Sequence, residues 1–221
     1  KLLRKSARKI VEEESDCVKI SKHDLPEMLG RKTFAEETRY KKPKIGVITG
    51  LAYTSVGGAT LFIEASCVEA KNPGFKQTGQ LGDVMIESTE IAYTYIRSIG
   101  SKDKKIQKFF AENFVHLHVP AGATPKDGPS AGITMACALY SLVTQEPVIP
   151  NLAMTGELTL TGLVMPVGGI KEKTIAARRA GISQLIFPAE NQKDFDDLDE
   201  SIKGGIKPYF VKIFSEVLPV S

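Results

Sequence analysis

No apolar run in this sequence is long enough to cross a membrane, which excludes a helical membrane span. Cysteine is scarce. Cys17, Cys67 and Cys137 are odd in number, far apart and without a C-x-x-C pair. That argues against a disulfide framework or a structural zinc site and favours a reducing compartment. A strong charge of either sign is also missing. The formal net charge is +3 and basic residues interleave with acidic ones, so nucleic-acid binding is not expected. There is no internal repeat and no low-complexity segment. An initiator Met is lacking too, and the first residues, "KLLRKSARKIV", are already in helical rhythm. The chain therefore reads as a piece of a longer protein, with any targeting signal lying elsewhere.

What is present fits an ordinary globular chain: 221 residues, 42% hydrophobic and 25% charged, enough to bury a sizeable core. Residues 1–40 form a small unit. Leu3, Ala7, Ile10 and Val11 recur at helical spacing, "CVKIS" suggests a short strand, and "KHDLPEML" a helix stopped by Gly30. "GRKTFAEETRYKKPK" is polar and aperiodic, a linker. From about 41 to 221 the pattern changes. "KIGVITGLAY" and "GATLFIEASCV" read as a hairpin turning at Gly57-Gly58. A long helix is predicted from Asp83 to Gly100, a buried strand at "FVHLHVP", and a central helix over Ser130–Val143, apolar nearly all round. "NLAMTGELTLTGLVMPVGG" reads as two strands joined at Thr161-Gly162. A helix ended by Gly181, the strand "SQLIFP", a helix start and the strand "IKPYFV" follow. The class is α+β (mixed α/β).

Gly128-Pro129-Ser130-Ala131-Gly132 matches the G-x-S-x-G pattern of a nucleophile elbow. The elbow needs a strand running straight into the serine and a histidine later in the chain. Neither is found: the strand ends near Pro120, and His23, His116 and His118 all lie upstream. Two readings stay open on these residues alone. Pro129 and Ser130 simply start a helix, with Asp127 or Ser130 as its cap, or Ser130 is a nucleophile served by another base.

A lysine can be that base if it is neutral near pH 7, a fall of about 3 units in pKa, or about 4 kcal/mol of bias against the ammonium. Burial and the positive first turn of a helix both supply such bias. On the helix from Ile170 to Ala180, Lys173 falls in the arc of Ile170, Ala176, Ala177 and Ala180. Lys171, Glu172, Thr174, Arg178 and Arg179 fall opposite. The alternative for Lys173 is a stem lying on apolar surface with its head at the rim. "GGIKEKT" resembles a phosphate loop, but Glu172 stands where a Walker motif has Gly, so nucleotide binding is not expected there. His116 and His118 share a strand face and suggest the beginning of a metal site. No third ligand lies near, which favours histidines satisfied by their neighbours.

"HLHVPAGATPKDGPSAG", "MTGELTLTGLVMPVGGIKEKTIAARRAG" and "TGQLGDVMIES" together resemble the proteolytic domain of Lon, the ATP-dependent AAA+ protease family. The likeness runs from about Lys44 to the end, and residues 1–40 resemble the end of the helical lid of the family's AAA+ module. The resemblance implies a Lon-type proteolytic domain over 41–221 with Ser130 as nucleophile and Lys173 as general base. It implies Thr155 as the hydroxyl holding the lysine, Asp127 as an acid that blocks or opens the site, and Glu64 as an acid lining the cleft. Ala121 departs from the Glu usual in relatives, with little effect expected on the chemistry.

The resemblance further implies peptide-bond hydrolysis by a serine endopeptidase through an acyl-enzyme, with oxyanion donors among the backbone N–H groups of residues 127–130. No metal or cofactor is expected in this piece; ATP and Mg belong to the missing AAA+ module. The implied substrates are unfolded, damaged or regulatory proteins, and the implied assembly is a hexameric ring. "VGGIKEKTIAARRAG" and "PAENQKDFDDL" favour the mitochondrial matrix, with bacterial cytoplasm as the alternative. The competing class is an inactive assembly or binding module of the same fold. An RNA-binding domain would need a clustered basic face with exposed aromatics, and the sequence has neither.

Overall fold

A computed structural model describes residues 1–12, 17–30, 40, 42–54, 57–120 and 124–221. The chain divides into two compact units, Lys1–Arg39 and Tyr40–Ser221. The first contains α1 (Leu2–Glu12) and α2 (Leu25–Leu29), the latter closed by Gly30 at φ 94°. The apolar positions of α1 remain exposed, Leu3 and Val11 most of all. The strand expected at "CVKIS" does not form: residues 17–21 have no regular structure. No neighbouring strand is present in that unit to complete its backbone hydrogen bonds, among the described residues. Most of the predicted linker, and Ala121, fall outside the described residues.

The second unit is built on β1 (Val47–Thr54), β2 (Gly57–Glu69), β3 (Gly74–Thr78), β4 (Asn113–His118), β5 (Leu152–Met154), β6 (Glu157–Leu158), β7 (Val164–Met165), β8 (Gln184–Pro188) and β9 (Lys207–Val211). Seven of these form one mixed sheet in the order β3-β4-β2-β1-β5-β8-β9, and β6 pairs with β7 apart from it. β2 is antiparallel to both β1 and β4; the other neighbours in the sheet are parallel. The helices are α3 (Asp83–Ile99), α4 (Lys104–Glu112), α5 (Gly132–Thr144), α6 (Ile170–Arg179), α7 (Gln192–Asp196) and α8 (Glu200–Lys203). The mixed α/β class holds.

Several boundaries differ from the sequence reading. Gly57 and Gly58 open β2 instead of forming the turn. Gly58 serves close packing: a Cβ there would stand 2.0 Å from the Glu172 carbonyl oxygen, so α6 lies directly on the strand. "NLAMTGELTLTGLVMPVGG" gives three strands, because the first part joins the main sheet as β5 while β6 and β7 form the hairpin. α4 follows α3 without having been anticipated, capped by the Asp103 carboxylate on the Lys105 N–H at 2.8 Å.

Along the strands, side chains alternate between two cores. Ile48, Met154 and Ile186 join the core that contains α5 residues Ile133, Met135 and Leu139. Leu51, Ala153, Leu185 and Phe187 join a second core with Ile170 and Ala177 of α6. The two helices thus cover opposite faces of one sheet. Because β1, β5 and β8 run parallel, the segments leaving their carboxyl ends emerge together, where sheets of this kind place their sites.

Candidate active site

The site lies just beyond β5, at Thr155-Gly156. Thr155 is fully buried, and its hydroxyl donates to the Ser130 carbonyl oxygen at 3.0 Å. The Gly156 N–H donates to the same oxygen at 2.8 Å, and the Ile133 N–H donates to the Gly156 carbonyl at 3.1 Å. Three hydrogen bonds thereby stitch the serine segment to the strand end. Glycine is required for that approach, since a Cβ on Gly132 would stand 2.7 Å from the Leu158 nitrogen.

Ser130 precedes α5 and does not cap it. The helix begins at Gly132, and its N-cap, Ala131, makes no side-chain capping hydrogen bond. Among the described residues the Ser130 hydroxyl makes no hydrogen bond, so nothing structural employs it. The cap assigned to Asp127 is also corrected. Its carboxylate accepts from the Met85 N–H at 3.0 Å and from its own Gly128 N–H at 2.8 Å. Asp127 therefore sits on the N-terminus of α3, where the helix dipole favours an anion. Gly82 makes room, because a Cβ there would come within 2.4 Å of the Asp127 Cγ. Residues 79–82 hold the preceding residue as well: Lys126 Nζ donates to the Gly79 carbonyl at 2.7 Å, and Gly82 N–H to the Lys126 carbonyl at 2.7 Å. "TGQLGDVMIES" pointed to the family without disclosing this role. Only tertiary contact reveals it.

Lys173 reaches the site from the opposite face. It is 1% exposed, while Lys171 two residues earlier is exposed, as the helical projection requires. Thr174 departs from that projection. It is buried, with its hydroxyl returned to the Ile170 carbonyl at 2.7 Å, which satisfies it without solvent. The Lys173 amine donates to Thr155 Oγ1 at 2.9 Å. Burial lowers its pKa from 10.5 to about 8. Since the Thr155 hydrogen is given to Ser130, Thr155 can only accept from the amine. A neutral amine so held keeps its lone pair free for another proton.

Glu64 is not brought to this cluster. It pairs with Val47, whereas Ala153 pairs with Thr49, so Thr155 lies four residues farther along, about 13 Å. The Glu64 carboxylate accepts from the Tyr40 hydroxyl. His116 and His118 flank one hydroxyl, with Thr78 Oγ1 at 2.9 Å from His116 Nε2 and 2.7 Å from His118 Nδ1. Each ring has a partner without a metal.

A profile of the Lon protease (S16) C-terminal proteolytic domain matches residues 19–221. The chain belongs to the Lon proteolytic-domain family. Lon protease 2 of Hydrogenovibrio crunogenus is 56% identical over 98% of the chain, and Lon protease 1 of Syntrophotalea carbinolica is 49% identical over all of it. The mitochondrial Lon protease homolog of Mus musculus is 48% identical, again over the whole chain. The chain spans about a quarter of the length of these relatives, 24%, 27% and 24% respectively. This is a proteolytic domain of the Lon type. Bacterial and mitochondrial Lon proteins are both among its relatives, and among the described residues no helix is long and apolar enough to cross a membrane.

Proposed function

We propose that the chain cleaves peptide bonds through an acyl-enzyme, with Ser130 as nucleophile and Lys173 as general base. The observation that carries this reading is the Thr155 hydroxyl, which accepts from the Lys173 amine and donates to the Ser130 carbonyl. One side chain couples two groups 43 positions apart. In the first half-reaction the Ser130 oxygen attacks the scissile carbonyl carbon and its proton passes to neutral Lys173. The ammonium then protonates the leaving amine. In the second half, Lys173 takes a proton from water, the hydroxide attacks the ester, and the ammonium returns the proton to the departing Ser130 oxygen. Oxyanion donors come from residues 127–130. Gly128 N–H is bound to the Asp127 carboxylate and Pro129 has none, so the Ser130 N–H is at hand, and movement of Asp127 releases a second. The assay is cleavage of a fluorogenic peptide by Ser130→Ala and Lys173→Met. Hydrolysis retained by either folded variant overturns the dyad.

For the longer protein, we read residues 1–40 as the end of an AAA+ lid and 41–221 as the proteolytic domain of a hexameric ring. Its substrates would be unfolded, damaged or regulatory proteins. ATP and Mg would act in the AAA+ module. "GGIKEKT" does not fit a nucleotide phosphate, because Lys173 is turned inward onto Thr155. The mitochondrial matrix is the compartment favoured by the stretches quoted above, with bacterial cytoplasm as the alternative.

A further inference from the structure

The start of α6 has no side-chain cap, and two glycines, Gly168 and Gly169, precede it, the second at φ 74°. Left alone, such a pair would set the helix loosely. The fixed point is one residue earlier. Asn191 is 4% exposed, and its Oδ1 accepts from the Val167 N–H at 2.9 Å while its Nδ2 donates to the Val167 carbonyl at 3.0 Å. The second Nδ2 hydrogen goes to Asp194 Oδ2 at 2.7 Å. The side-chain amide thus pairs with one backbone residue as a neighbouring strand would, and every polar atom of it is used.

Downstream, α6 has little room to adjust. Its Glu172 carbonyl lies against Gly58, and a Cβ on Gly169 would press on the Tyr53 ring at 2.9 Å. The Lys173 N–H closes the first turn on the Gly169 carbonyl at 2.9 Å. Five residues therefore lie between Val167, which Asn191 clamps, and Lys173, and two of them are the glycines.

We propose that Asn191 is a positioning residue for the reaction, fixing the entry of α6 so that the buried Lys173 amine meets Thr155. The proposal rests on Lys173 being the base. Asn191→Ala removes both clamping bonds, and a misplacement of the base by about 1 Å can cost about 100-fold in rate.

The experiment follows fluorogenic peptide hydrolysis by Asn191→Ala and Asn191→Asp, with Lys173→Met and Phe110→Leu beside them, at temperatures giving equal folded fractions. Phe110 packs in the other core and reports simple destabilisation. The expected result for Asn191→Ala is a kcat lower by at least about tenfold with KM within about twofold. The ascending limb of its pH profile should move upward, because a displaced amine regains water. Phe110→Leu should keep the parent profile. Should Asn191→Ala not fold, Asn191→Asp bears the same expectation, since it retains an acceptor for Val167 N–H but loses both donors. A parent-like kcat and pH limb in the folded Asn191 variant overturns the proposal. If Lys173→Met is itself active, the fault lies instead in the choice of base.

Discussion

At the residue scale, Lys173 carries opposed consequences for stability and chemistry. Its folded pKa of about 8 lies below the ordinary 10.5, with burial as the cause. Between those values the unfolded chain holds a proton that the folded chain has released, so stability rises with pH across that window. Below about pH 8 the folded protein bears the full cost of the buried ammonium, about 3 kcal/mol. Lys173→Met removes that cost and preserves the stem in an apolar site. It should be more stable than the parent by about 1–3 kcal/mol at pH 7, the gain shrinking from pH 8 upward and gone above about 10.5. Thermal or denaturant unfolding across that range checks it, and a pH-independent difference contradicts the assignment. Lys171→Met, on the exposed face, should change stability by no more than about 0.5 kcal/mol and keep activity. Ser130→Ala should also be within about 0.5 kcal/mol of the parent, because the hydroxyl caps nothing, and should still lose peptide hydrolysis.

At the element scale, the serine segment is held by a helix it does not belong to. Asp127 sits on the first turn of α3, and Gly82 is the residue that lets it approach. Gly82→Ala should expel the carboxylate, losing a cap bond worth about 1 kcal/mol and adding steric strain of similar size. The thermal midpoint should fall by roughly 4–8 °C. In an Asp127→Ala background the same change should cost clearly less, since the obstructing side chain is gone. An identical loss in both backgrounds would show that the clash is with something else. Activity should fall with the displacement of Asp127, because Lys126 and Gly128 border it on either side.

At the scale of the whole molecule, the sheet brings together two helices that share no core. α5 belongs to one face and α6 to the other, and Thr155, just past β5, is hydrogen-bonded both to the Ser130 carbonyl that precedes α5 and to the Lys173 amine of α6. The lysine reaches its water-poor position through that arrangement, so the pH dependence of catalysis is a property of the assembled unit. With the amine titrating near 8, about a tenth of it is neutral at pH 7 and most of it at pH 9. Acylation should therefore rise about tenfold from pH 7 to pH 9 and then level off. Single-turnover acylation with a peptide ester measures this, and a flat profile over that range would refute a lysine base of this pKa.

The sequence by itself determined the elements whose signals are local. The 3.6-residue periodicity that separates Lys173 from Lys171, the apolar run that makes α5 central, and Gly30 and Gly181 at helix ends are all properties of a few neighbouring residues. The candidates for nucleophile and base were singled out by local signals too, Ser130 through its glycine-rich setting and Lys173 through its place on an alanine face, and family resemblance chose among the readings these left open. Thr155, Asp127 and Glu64 came through family resemblance, and only the first two lie at the serine segment. Tertiary structure alone decided the rest. That Asp127 caps α3, that β5 leaves the hairpin for the main sheet, that Thr174 is buried and that Asn191 grips Val167 all depend on partners distant in sequence. "CVKIS" has strand propensity without a partner strand among the described residues. Local pattern states what a segment is able to form, whereas hydrogen-bond partners and burial are set by what the folded chain places beside it.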